Sequence, residues 1–515
     1  MPTSRTDIRK PLRPIRAAAL LLPALLFASS LLQAQAPHYT AVYSARIVDG
    51  QYSGDYDIFG AGFSMEGIGD QPPEHPRVLS SLSYRERSPF AVADREGGMY
   101  VAYVVEHTDS AYRGDRDIVL RHINAGGADL WGDSTNHVVP VAQSRFVEEN
   151  PRLLVLGDGS LIVCYEIHYP PAQGNDVDIA TVRISRDGRM LWAKGGWVAH
   201  SSKHELLKEM IADDSGGALV LLEARTYRDT TLLNSDVMAQ RIDSSGATGW
   251  KDSHDPVPVA ASPYLEMNPV MVPDGNGGMY VAYQLEYNKG PRAGDLDILA
   301  QHLTRYGSRA WVDEKNPPIV SSNAKARELN PAIARDSTGI VIAFEMTFTP
   351  TKSKGIAHVI GMQRLDSAGH PSWNDGKRSK LISVPRQIVE APKLYPDVGG
   401  GVYVLFDAMD TVTHNRDIYA QRIGPDGEQI WGDGERAIPI FNSPDIEANA
   451  TAAADNAGGL VIVATRHPAE SEMPVAIIAQ RINANGDFVW TDLQPALPLA
   501  INAPDCSPPV LVRQW

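Results

Sequence analysis

Residues 421–431, QRIGPDGEQIW, return as QRINANGDFVW at 480–490, QRIDSSGATGW at 240–250 and RHINAGGADLW at 121–131. The closing tryptophan belongs to a series, Trp131, Trp192, Trp250, Trp311, Trp373, Trp431 and Trp490, spaced by 61, 58, 61, 62, 58 and 59 residues. One period therefore organises the chain. A period of this size marks a repeat architecture, in which each unit buries its faces against its neighbours.

The copy that ends the series of upstream segments most clearly is the fourth, with NPVMVP at 268–273, MYVAYQLE at 279–286, DILAQHL at 297–303 and PPIVSS at 317–322. These are short apolar or alternating runs separated by turn residues, the pattern of β-strands. Four strands per unit is the count of a propeller blade. The aligned first strands carry Ala91, Leu153, Met210, Met271, Ile333, Leu394, Ala452 and Val510 on one face and uncharged residues on the other. A strand without charge on either face is buried on both, as an inner blade strand is. The recurrent tryptophan is expected to dock between blades.

The chain ends complement one another. Residues 41–64 match the second and third strands of a repeat, and PPVLVRQW at 508–515 matches a first strand. The expected fold is all-β: a single propeller of eight four-stranded blades closed by pairing of the terminal strands, with seven blades as the alternative. The composite blade covers 37–87 plus 507–515, and the repeats run over about 88–149, 150–207, 208–267, 268–329, 330–389, 390–448 and 449–506.

Residues 1–36 read as a signal peptide, with Arg5, Arg9, Lys10, Arg13 and Arg16 ahead of the apolar run 17–32 and Ala34-Gln35-Ala36 at its end. Removing these five basic side chains and one acid takes the formal charge from -15 to -19. Such a charge argues against nucleic acid as a partner. No later segment is apolar over the ~18 residues that a membrane helix needs, so an exported protein, periplasmic or extracellular, without an integral membrane segment is expected. Cys164 and Cys506 fall in different repeats and are expected to stay unpaired.

The iterated GGMYVAYQ, DIYAQRI and G-x-x-x-W segments resemble the repeat of exported bacterial β-propeller proteins, many of which carry a C-terminal type IX sorting domain. Here the repeats run to Trp515, with no sorting domain appended. A fainter similarity is to eight-bladed quinoprotein propellers, which carry adjacent cysteines at the cofactor; this chain has none.

Chemistry is sparser than architecture. Acid-x-acid pairs stand before several third strands, among them Asp115 with Asp117 and Asp295 with Asp297. Side chains two apart on a strand point to one side and suit Ca²⁺, although two carboxylates fall short of a full calcium loop, so the expectation is no cofactor with calcium as the open possibility. Glu166, Glu223, Glu345 and Asp407 recur from blade to blade, which points to a shared structural role. Residues that break the symmetry are better ligand-binding candidates: Arg152, Glu209 and Lys393 at one channel mouth, with an Arg152 to Glu209 surface ion pair as the alternative. His200 and His204 have i, i+4 spacing, but Lys208 stands where an HExxH motif needs its second histidine. The expected function is a non-enzymatic binding or scaffold module for a protein, glycan or envelope partner; the alternative is an extracellular hydrolase or lyase that uses the central channel.

Overall fold

The computed structural model describes residues 37–515 except 48–53, 109–112, 132–136, 193–194, 251–253, 312–318, 324, 337–338, 351–354, 377, 435, 471–474, 492–495 and 515. The signal-peptide segment 1–36 lies outside the described residues. Residues 36–515 form one compact unit. It is all-β and propeller-type, with short 3₁₀ turns at Pro171–Gln173, Trp373–Gly376 and Gly432–Gly434 among the described residues, and no described helix is long and apolar enough to cross a membrane.

The strands pair antiparallel in sets of four. Leu265–Pro273, Met279–Glu286, Leu296–Leu303 and Ile319–Ser321 make one such set. The second strand of this set is buried along seven of its eight residues, whereas the first alternates, so the strand packed between two layers is the second and not, as its uncharged faces suggested, the first. At the chain ends, Val510–Gln514 pairs with His38–Arg46, which pairs with Tyr56–Ser64 and through it with Arg77–Ser80. His38 and Thr40 hydrogen-bond the Gln514 side chain across this seam, at 3.0 and 2.9 Å.

First strands touch in sequence order: Arg85–Ala93, Val147–Val155, His204–Ala212, Leu265–Pro273, Ala326–Arg335, Gln387–Pro396, Ile446–Ala454 and Val510–Gln514, the last returning to the first. Most carry a bulge where the register skips, and Ser88, Asn150, Asn268, Asn330, Ala391 and Asn449 there adopt positive φ. Asparagine tolerates that conformation, and the proline that follows in several copies supplies no N–H that the ladder would miss.

The periodic tryptophans lie between sets. Trp311 is 5% exposed; its Nε1 donates to Ser367 O at 3.0 Å, and its ring covers Gly369, whose φ is +86°. A Cβ at Gly369 would stand 2.7 Å from the ring, so glycine is required there. Trp490 makes the same contact with Met65 O and Gly67, and so joins the last set to the N-terminal one. Each core cluster spans two neighbouring sets. Cys164 and Cys506 lie in different clusters and are free.

One more feature repeats at the seams. Glu86, Glu148, Glu205, Glu266, Glu328 and Glu447, near the start of six first strands, are all at most 4% exposed. Each bonds a serine just ahead of its strand: Ser80, Ser144, Ser201, Ser262, Ser321 and Ser443. Burial pushes five of these carboxyls up to about 7, with Asp57, Asp117, Asp178, Asp236 and Asp297 of the preceding sets adding to the rise; Glu447 is raised as well.

Candidate functional site

The sequence candidates Arg152, Glu209 and Lys393 occupy matching places in three different first strands, and Arg152 and Glu209, on adjacent strands, lie close enough to interact electrostatically. Arg152 Nε donates to Lys208 O at 3.3 Å and its guanidinium lies over the Phe90 ring. Glu209 Oε2 accepts from Met271 N at 2.8 Å, and burial pushes its carboxyl up to about 7. Lys393 Nζ donates to Ala450 O at 2.7 Å. All three reach backbone of the next first strand, so their polar groups are engaged in joining adjacent sets.

The acid-x-acid pairs already have partners from the protein. Asp117 Oδ2 meets His107 Nε2 at 2.9 Å, while Asp115 accepts from Arg116 N at 3.1 Å. Asp295 and Asp297 both hold the Arg292 guanidinium, so a protein cation already sits between them. His200 pairs with Asp178, whereas His204 begins a strand and packs edge-on against Tyr227; the two histidines sit on no common helix.

A different group does converge. Val147–Val155 and Leu161–His168 run antiparallel, with Glu149 opposite Glu166 and Val147 opposite His168. Alternation along both strands puts Glu149, Glu166 and His168 on one side. His168 Nε2 lies 3.2 Å from Glu149 Oε1 and 3.1 Å from Glu166 Oε2. Glu149 is held from outside by Arg116 NH1 at 2.6 Å. Glu166 is buried, and its Oε1 accepts from Asn150 Nδ2 at 2.8 Å and from Leu207 N at 2.7 Å, so two strands fix its orientation. The side chains of His168 and Glu149 are each 31% exposed, open enough for a solute to reach the imidazole. These three residues also offer ligand atoms within 4.8 Å of one another, a spacing that a metal ion could use.

The combination breaks the repeat. Glu106, Arg225 and Glu286 stand at the His168 position of other sets, and Arg87, Leu206 and Met267 at the Glu149 position; a histidine returns there only as His467, and the carboxylate pair with its arginine only as Glu390, Asp407 and Arg416, so among the described sets the three groups meet together at His168 alone. In the sequence Glu149 and His168 carry no motif, and Glu166 shares its place with Glu223 and Glu345. Glu223 and Glu345 do accept the backbone N–H of Asn268 and Ala391 in the next strand, as Glu166 accepts that of Leu207. What distinguishes Glu166 is its neighbours. The available signal was the same symmetry-breaking criterion, applied one residue ahead of the bulge and at the end of the second strand.

No protein-family profile and no curated protein matches the sequence. Among solved structures, the chain is similar to an ulvan lyase described as a new polysaccharide lyase family, at 12% identity and TM-score 0.43, over 78% of this chain and 94% of that one. It is similar to a second polysaccharide lyase at 10% identity and TM-score 0.42, over 81% and 94%. It is also similar to an α-L-arabinofuranosidase from Fusarium graminearum at 12% identity and TM-score 0.33, over 65% and 93%. The expectation of a non-enzymatic scaffold is corrected here, because these neighbours are carbohydrate-active enzymes. Likeness at this level concerns the fold, so the case for an activity rests on the residues around His168.

Proposed function

We propose that the protein is an exported, glycan-active enzyme of the lyase or hydrolase class, built on one ring of eight four-stranded blades, with its reacting centre at His168. The cyclic contact of the first strands and the seam between Val510–Gln514 and His38–Arg46 support the eight-bladed ring. Each of the eight first strands heads one set of four.

The observation that carries the activity is the imidazole held between two carboxylates. With Nε2–H donating to Glu149 and Glu166, Nδ1 becomes the lone-pair nitrogen, free to take a proton from a bound sugar. Such a base suits abstraction of a proton from the sugar carbon next to a uronate carboxylate, after which a carbon–carbon double bond forms, the bond to the glycosidic oxygen breaks, and that oxygen takes a proton from the imidazolium or from water. Hydrolysis fits less well. A retaining pair stands about 5 Å apart with the sugar between, and an inverting pair further apart to admit water. Here the imidazole fills the space between Glu149 and Glu166.

The test is to incubate the purified protein with uronate-containing and neutral polysaccharides, following both ultraviolet absorbance of the unsaturated product and release of reducing ends. The expected result is a rise in both signals on a uronate polymer, abolished in His168→Ala at unchanged thermal stability. Reducing ends without the ultraviolet signal would identify a hydrolase. Full activity in His168→Ala, or inactivity of the parent on every polymer, would overturn the proposal.

A further inference from the structure

In three sets, an aromatic pair fills the corner between the start of the first strand and the end of the second. Tyr84 meets His107 at 4.6 Å, Phe146 meets Tyr169 at 4.8 Å, and Tyr264 meets Tyr287 at 4.7 Å. In the set that begins at Ala326 the same register places Ala326 opposite Phe348. The alanine takes the place of a ring, so the Phe348 side chain is left half-buried without an aromatic partner across the pair. A cleft of about 470 Å³ lies there, lined by Phe348, Lys325, Arg327 and Ile356 among others, and Ile356 is 65% exposed.

The charge at this cleft is opposite in sign to the chain as a whole. Lys325 and Arg327 are exposed, and among the described residues neither has a carboxylate within ion-pair distance. The third cation, Arg292, is fully engaged: Asp295 and Asp297 hold it over the Tyr287 ring, 3.9 Å from the centroid, and so stiffen the wall. In a chain of formal charge -15, two uncompensated cations beside an uncovered aromatic face are a local inversion. A planar apolar wall suits the C–H face of a pyranose ring, and the two cations suit an acidic substituent on that ring.

We propose that this cleft is a binding subsite for an acidic polysaccharide, which places one sugar ring against Phe348 and its carboxylate or sulfate at Lys325 and Arg327. The choice of polymer rests on the glycan reading above, but the subsite lies on different strands from His168 and is tested by binding alone. The full mature protein is run in native gels containing polygalacturonate, heparin or neutral dextran, and in parallel with single-stranded DNA.

Retardation is expected in at least one of the acidic polysaccharide gels and not in dextran. Lys325→Ala/Arg327→Ala should weaken it about tenfold, the scale of losing charge-assisted contacts to one anionic group. Phe348→Ala should weaken it as well, with the double surface variant as the control that keeps the core intact. Polygalacturonate and heparin separate carboxylate from sulfate. Equal retardation of parent and double variant, absence of retardation in both acidic gels, or equally tight capture by single-stranded DNA would overturn the proposal. Binding with the expected variant profile but without turnover of any polymer would leave the subsite standing and remove the enzymatic reading.

Discussion

Glu266 offers the sharpest test of how the seams hold together. Its carboxyl is 1% exposed, accepts from Ser262 N at 3.0 Å, and faces Asp236 of the preceding set. Burial raises it from 4.5 to about 7. The folded state therefore keeps a proton that the unfolded chain releases near pH 4.5. Stability from this group is fully present below that pH and declines as pH rises through about 7. At about 1.4 kcal/mol per pH unit, the cost of ionising Glu266 in the fold reaches about 3 kcal/mol at most above pH 8. Glu266→Gln keeps the acceptor for Ser262 and removes the ionisation. The variant should be more stable than the parent at pH 8.5, by about 1 to 3 kcal/mol, and near-neutral or slightly destabilised at pH 5. Calorimetric melting from pH 5 to 9 measures this. The parent's Tm should fall across the range, and Glu86→Gln/Glu205→Gln/Glu266→Gln should flatten that slope further than the single change. A variant penalty of the same size at both pH values would refute the reasoning, as would a parent whose Tm rises with pH.

Trp311→Ala should cost about 3 to 5 kcal/mol, because it empties a buried aromatic site and strands the Ser367 carbonyl; denaturant unfolding showing less than about 1 kcal/mol would contradict the packing described. Removal of residues 507–515 should strip the partner from His38–Arg46 and expose a strand edge, with a loss of about 5 kcal/mol and aggregation visible by size-exclusion chromatography. His168→Gln should lower turnover about 10²- to 10⁴-fold on whichever polymer the parent degrades, the usual range for a general base, while leaving the melting curve in place. Because both thiols are buried and free, a reducing agent should leave Tm unchanged.

The propeller-type architecture was legible because it is written in a period. The spacing of seven tryptophans and the complementary ends are properties of one-dimensional order, and a repeat maps that order directly onto neighbouring units in space. The same symmetry that reveals the fold conceals chemistry. Glu166 looked structural because Glu223 and Glu345 share its place, and it does tie strands together as they do. Glu149, 17 residues upstream, and Arg116, in the preceding set, become its neighbours only through strand pairing and the seam between sets.

The amino-acid sequence by itself determined the repeat and the strand count per unit, since these follow from spacing and polarity along the chain, whereas which strand is buried on both faces emerged only from the packing. Tertiary structure alone decided which carboxylates meet a cation or an imidazole, which share a buried seam, and where Ala326 leaves the face of Phe348 uncovered. The physical reason is range. Periodicity acts between residues a fixed number of positions apart, whereas an ion pair or a cleft depends on distances of a few ångströms between strands that the sequence does not state.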